Sequence, residues 1–254
     1  MGIIKESLKG LRPRAVPYLV KSLTTVSFSL CGEDRIIKVL NPGLNGFYVD
    51  VGACHPMNGS NTYKLYLRGW RGLTIEPNPD IAPLFKKIRP RDEHVVTGVS
   101  REPAVMKYHK FENYMVNTFN LDDLGTRTDE RIIATESIVC QPLTKILDSR
   151  AAERHIDFLN VDCEGMDLEV LQSMDWSKYR PSVVCVEDIV QYHLTASYDP
   201  QLGPIKVFMR DKDYWLIAQS LVSFFYIDKN LAEWNGSGFE IKHSWVGFLM
   251  DGAT

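Results

Sequence analysis

The chain has 254 residues, 44% hydrophobic and 24% charged, with a formal net charge of −3. That length holds one large α/β domain or two small ones, the composition is ordinary for a soluble globular protein, and no basic excess points to a nucleic-acid partner. Five scattered cysteines (Cys31, Cys54, Cys140, Cys163, Cys185) form no CxxC pair, which argues against a zinc ribbon or a disulfide framework and for free thiols in a reducing compartment.

The start, MGIIKESLKGLRPR, is basic but lacks the apolar core and cleavage site of a secretory signal. The run AVPYLVKSLTTVSFSLC is broken by Lys21 and hydroxyl residues and makes a poor membrane span. Gly2 and Ser7 do not fit the myristoylation pattern. The expected location is the cytoplasm. Lys5, Lys9, Arg12, Arg14 and Lys21 outweigh Glu6, and Leu19, Leu23, Val26 and Leu30 fall on one helical stripe. Residues 1–40 are therefore expected to form a helical extension, of which the core fold does not need 1–31. It either lies on the anionic inner face of the membrane or packs on the sheet or a second copy of the chain.

The domain proper is expected over 41–254. FYVDVGA (47–53) reads as a buried strand, SNTYKLYLRG (60–69) as a helix with Tyr63, Leu67 and Tyr66 toward the sheet, and RGLTIEP (71–77) as a second strand. Asp80 is placed as the cap of the next helix, with Pro83 in its first turn. VVTGVS (95–100), IDFLNVDCE (156–164) and SVVCVEDI (182–189) are further strands; MDLEVLQSM and GPIKVFMRDKD are helices. YWLIAQSLVSFFYID and SWVGFLM are strand-rich, and Trp70, Trp176 and Trp215 read as core. Residues 101–142 are polar and weakly periodic, either a lid or substrate insertion or two extra strands. Strands joined by helices predict an α/β fold with a doubly wound, mostly parallel sheet. Its ligands should sit beyond the carboxyl ends of the strands.

Those ends carry Asp50, Glu76, Ser100, Asp162 with Glu164, and Glu187 with Asp188. Gly52 and Ala53 leave room for a ligand against the backbone. Asp50 suits a cationic or amine-bearing cofactor, or else caps a loop. An acid at the end of the second strand, Glu76, suits the ribose hydroxyls of an adenosine. His55 reads as a general base, a metal ligand or a substrate contact, or else caps the following helix or packs against Pro56. Asp162, Glu187 and Asp188 would repel one another unless a proton or cation intervenes, and such oxygen ligands suit magnesium or a similar divalent ion. Glu164, before Gly165, reads as a helix start. His109, Tyr192 and His193 are lone candidates, assigned no role.

Four motifs in order, D-x-G-A at Asp50–Ala53, I-E-P-N-P at Ile75–Pro79, D-F-L-N-V-D-C-E-G at Asp157–Gly165 and V-E at Val186–Glu187, carry a resemblance over about 46–228. The chain resembles the FkbM-type methyltransferases, a branch of the Rossmann-like class I fold that uses S-adenosylmethionine. The resemblance implies O-methylation of a sugar or glycan hydroxyl, in some relatives with a metal. It implies that Asp50, Gly52, Ala53, Glu76 and Ser100 hold the cofactor, and that Asp162, with Glu187 or His55, acts on the acceptor. The acceptor glycan is expected to be lipid-linked if the N-terminus meets a membrane. A nicotinamide-dependent oxidoreductase and a non-catalytic adenosine-binding protein are the alternatives.

Overall fold

A computed structural model describes residues 26–40, 45–121, 130–188, 203–234 and 239–241. In chain order these form α1 (Glu33–Leu40), β1 (Phe47–Val51), α2 (Tyr63–Leu67), β2 (Arg71–Ile75), α3 (Ala82–Ile88), β3 (Glu93–Val95), β4 (Gly98–Val99), β5 (Ala104–Phe111) and β6 (Ile132–Gln141). Then follow α4 (Leu143–Arg150), β7 (Phe158–Val161), α5 (Asp167–Gln172), β8 (Val183–Glu187), α6 (Pro204–Asp211), β9 (Tyr214–Gln219), β10 (Ser223–Asp228), β11 (Ala232–Trp234) and β12 (Phe239–Ile241).

β1 and β7 are buried at nearly every position, as strands covered on both faces must be. Their side chains alternate between two cores. Val49, Val51, Leu159 and Val161 pack with α4, α5 and α6, whereas Tyr48 and Phe158 pack with α1, α2 and Trp70. The seven-stranded sheet runs β3-β2-β1-β7-β8-β10-β9, parallel except for β10, which is antiparallel to both neighbours. The expected doubly wound sheet is thus present, and its order reverses between β1 and β7, where such sheets open a crevice.

Several local expectations are corrected. VVTGVS is not one strand: Glu93–Val95 stays in the main sheet, while Gly98–Val99 leaves it to pair with β6 in a second sheet, β4-β6-β5. The Thr97 hydroxyl fixes the crossing by donating to the Val139 carbonyl (2.8 Å). Residues 101–142 supply two long antiparallel strands and a short 3₁₀ turn, Tyr114–Val116. In α2 it is Leu65 and Tyr66 that are buried, and Leu67 is exposed. Asn78, not Asp80, caps the turn before α3 by accepting from the Asp80 N–H (3.1 Å). Trp215 is 37% exposed because β9 is the sheet edge, unlike Trp70 and Trp176. The helix α4 and the hairpin β11–β12 had no counterpart in the sequence reading. Residues 1–25, Tyr192, His193 and SWVGFLM lie outside the described residues.

Residues 26–31 are integral to the fold, against the expectation that 1–31 is dispensable. Asp34 at the start of α1 accepts from the Ser27 hydroxyl (2.7 Å) and the Phe28 N–H (2.9 Å) and faces Lys64 (3.3 Å). Glu33 accepts from the Cys31 N–H (3.0 Å) and the Ser220 hydroxyl (2.6 Å), tying this segment to the turn before β10. Of the proposed stripe, Val26 and Leu30 are exposed.

Candidate active site

A cavity of about 550 Å³ opens beyond the carboxyl ends of β1, β2, β7 and β8. Leu30 and Cys31 close one side, and the segment Asn113–Phe119 between β5 and β6 closes another. Its lining includes six carboxylates, Glu33, Asp50, Glu76, Asp162, Glu164 and Glu187, and among the described residues no lysine, arginine or histidine.

The turn after β1 sets the floor. Gly52 has φ +75°, and a Cβ there would collide with the Asp162 carbonyl. The glycine is therefore required by the approach of the chain after β7, before any ligand is considered. Its N–H and that of Ala53 donate to the Ile75 carbonyl (3.0 and 3.1 Å). Cys54 follows at φ 49°, an uncommon conformation for a side chain with a Cβ, and aims its N–H at Glu76 Oε2 (2.9 Å). Glu76 Oε1 accepts from the Asn78 N–H (2.8 Å) and the Tyr108 hydroxyl (3.2 Å). Burial pushes the Glu76 carboxyl up to about 7 against these hydrogen bonds.

Asp50 lines the cavity, but both its oxygens are engaged within the protein. Oδ2 accepts from the Thr62 hydroxyl and Oδ1 from Asn160 Nδ2 (2.9 Å). Asn160 in turn accepts from Asn61 Nδ2 (3.1 Å). Behind this row lies Arg89, 1% exposed, which donates to Asp92 (2.7 Å), Tyr48 (2.6 Å), Thr62 (2.9 Å) and Ser60 (3.3 Å) and stands 4.0 Å from Asp50.

Three further residues are placed away from their expected tasks. His55 does not line the cavity; its Nδ1 accepts from the N–H groups of Met57 (3.1 Å) and Asn58 (2.9 Å). The lone pair a base needs is used to cap the loop, and burial lowers the imidazole pKa further. Ser100 donates its hydroxyl to the Glu102 carbonyl (2.7 Å), and Thr97, Gly98 and Val99 line the cavity in its place. Asp188 is buried outside the lining, with its N–H on the Val222 carbonyl (3.0 Å).

The acidic group that does assemble is Asp162, Glu164 and Glu187, whose oxygens lie within 4.8 Å of one another. Glu164 is not a helix start. It sits in a turn at φ 48°, and α5 begins at Asp167, whose carboxylate accepts from the N–H groups of Cys163 (3.0 Å) and Gly165 (3.2 Å). Burial, then the neighbouring acids, raise Asp162 and Glu187 well above the usual carboxylate range. Glu187 Oε2 is buried with no hydrogen-bond partner among the described residues. A bare cluster of this kind retains a proton; a bound cation would let all three carboxyls ionise.

A family profile described as "Methyltransferase FkbM domain" matches residues 50–216. Among curated proteins no relative matches. Three of the solved structures similar to the chain are the following. A TehB-like SAM-dependent methyltransferase from Corynebacterium glutamicum has 12% identity, a TM-score of 0.41 and coverage of 85% of this chain and 96% of that one. A methyltransferase from Geobacter sulfurreducens has 14% identity, a TM-score of 0.42 and coverage of 89% and 98%. The O-methyltransferase from Bacillus cereus in complex with SAH has 9% identity, a TM-score of 0.39 and coverage of 90% and 98%.

Proposed function

This chain belongs to the FkbM methyltransferase family, and on that premise we propose that it methylates a hydroxyl of a sugar or glycan, assisted by a divalent cation. The family match sets aside the nicotinamide oxidoreductase reading and makes S-adenosylmethionine the methyl donor. The observation that carries the finer reading is the acid cluster Asp162, Glu164 and Glu187 in a cavity whose described lining has no cationic side chain. An anionic acceptor would find no counter-charge there, whereas a neutral polyol suits it.

The residues fit a cationic sulfonium cofactor: the cavity is large, acid-lined and floored by the tight Gly52 turn, with Glu76 where ribose hydroxyls would be held. When bound, the cofactor supplies an electrophilic methyl group. The residues also fit a hard cation, since the donor set is all carboxylate and Glu187 Oε2 has no hydrogen-bond partner among the described residues. Asp162, Glu164 and Glu187 would hold it, and it would lower the pKa of a neighbouring hydroxyl. In this reading Asp162 orients the acceptor hydroxyl and takes its proton, Glu187 keeps Asp162 in place, and Asn113–Phe119 limits water access. Much of the rate comes from fixing acceptor and donor in line.

The test is a mass shift of one methyl on neutral glycosides incubated with protein and S-adenosylmethionine. Turnover should vanish in excess EDTA and return with magnesium. Full activity in EDTA removes the cation and leaves Asp162 as a direct base; no methylated glycoside under any condition removes the sugar acceptor.

The basic start of the chain, beyond the described residues, supports peripheral attachment to anionic membranes and hence a lipid-linked acceptor at the cytoplasmic face. Each basic residue near such a surface contributes on the order of 1 kcal/mol. The full chain should co-sediment with anionic vesicles at low salt and not with neutral ones. A chain beginning at Val26, which keeps the cavity wall, should lose that preference. Equal sedimentation with both vesicle types rules the attachment out.

A further inference from the structure

We propose that Tyr108 and Asn117, carried by the insertion at 101–142, are positioning residues for the cofactor: through Glu76 they hold a carboxylate ready for the ribose hydroxyls. The proposal rests on the reading of Glu76 as the ribose-holding acid. It assigns to part of the insertion a task in cofactor binding that is separate from any contact with the acceptor.

The geometry is a chain of donors pointing at Glu76. The Phe111 N–H donates to Asn117 Oδ1 (2.8 Å), which fixes the amide so that its nitrogen is the end facing Tyr108. The Asn117 side chain faces the Tyr108 oxygen, and the Tyr108 hydroxyl donates to Glu76 Oε1 (3.2 Å). Tyr108 and Glu76 are 3% and 4% exposed, and the Tyr108 ring is packed against Phe119 (4.8 Å between centroids). Water therefore competes little for the carboxylate, and the phenol cannot swing away. The remaining partners of Glu76 are the N–H groups of Asn78 and Cys54, which belong to the two strand-end turns of the main sheet. Tyr108 is the contact that comes from the insertion.

Charge explains why a third donor matters. Glu76 is buried beside Asp50, and among the described residues Cys54, Cys163 and Tyr108 are further titratable groups that face it. Burial and Asp50 both favour the protonated carboxyl, which could accept less well from ribose. Each donor on the ionised form moves the balance back. Removing Tyr108's proton should therefore weaken cofactor binding most near neutral pH and shift its pH dependence upward. A residue that only filled space would change the affinity without moving the pH midpoint.

The experiment is titration of S-adenosylhomocysteine into the full chain by calorimetry between pH 6 and 9, for the wild type, Tyr108→Phe, Asn117→Asp and Glu76→Ala. Asn117→Asp keeps the acceptor for the Phe111 N–H but replaces the donor with a second acceptor, so Tyr108 would turn its proton away from Glu76. For the wild type, affinity should rise with pH through about 7, the value to which burial brings Glu76. Tyr108→Phe should weaken binding about tenfold at pH 7, the size of one lost hydrogen bond to a charged group, and move the midpoint to higher pH. Asn117→Asp should move it further the same way, since its added charge also disfavours the Glu76 carboxylate, so an unmoved midpoint there overturns the role even if Tyr108→Phe fails to fold. Unchanged midpoints in these variants overturn the positioning role. If Glu76→Ala also binds like the wild type, the ribose assignment itself fails; if Glu76→Ala weakens binding and the other two do not, only the role of the insertion fails.

Discussion

Replacing Arg89 with methionine should lower the unfolding free energy by about 3–5 kcal/mol, the cost of leaving buried charge without its partner. Methionine roughly keeps the volume of the site, so the loss reads the polar network rather than a cavity. Arg89 lies inside the protein between α3 and the polar face of β1, and four of its contacts are direct hydrogen bonds, to Asp92, Tyr48, Thr62 and Ser60. Without it Asp92 and Asp50 remain buried, and Asp92 keeps only the Tyr48 hydroxyl (2.6 Å) and the Gly72 N–H (2.9 Å). Arg89→Lys should recover only part of the loss, because one ammonium cannot replace a planar fork that spans a carboxylate and three hydroxyls. Denaturant unfolding at pH 7 reads both variants. A loss under 1 kcal/mol for Arg89→Met would mean that the network is not what anchors β1. The same network makes Asp50, which lines the cavity, the front edge of a structural cluster.

Arg89 also marks where the sequence stops being legible. It stands in KKIRPR, a basic run at the end of the helix Ala82–Ile88, which Pro90 cannot continue. That its guanidinium turns inward depends on Tyr48 and Asp92, brought together by the pairing of β1 with β2 and the loop before β3. The strands themselves were readable because β1, β7 and β8 are apolar runs that end in acids, and a doubly wound sheet follows from strands separated by helices. The antiparallel β10 was not assignable, since a strand-rich stretch does not state its direction. Asn160 carried a usable signal, a carboxamide inside an otherwise apolar buried strand, which must find polar partners. Glu164 was misread because its place before Gly165 imitates a helix start; the helix begins three residues later, and the turn swings Glu164 toward Asp162 and Glu187. His55 is placed directly after the first strand, a position that does not show that its Nδ1 caps its own loop. Tyr108 gave no local signal at all, since its partner Glu76 lies on a different sheet.

Asp162→Asn should lower kcat for methyl transfer by about 10²–10⁴-fold, the range for losing a general base, while the affinity for S-adenosylhomocysteine stays within about twofold. The split follows from position: Asp162 stands with Glu164 and Glu187, whereas Glu76, to which the proposed reading assigns the ribose hydroxyls, stands at the end of another strand. The amide keeps the size of the side chain and removes both its charge and its ability to take a proton. The pH profile gives a second, independent reading. Burial and the neighbouring acids hold Asp162 and Glu187 protonated well above the usual carboxylate range. The wild-type rate should therefore climb with pH as the pair gives up its proton. A cation held between the carboxylates favours their ionised form, so added magnesium should move that rising limb to lower pH. Asn at 162 should abolish the limb rather than shift it. If Asp162→Asn keeps kcat within tenfold and retains the rising limb, the acid cluster is not the centre that acts on the acceptor. A flat wild-type profile that magnesium does not move would say the same of the shared proton.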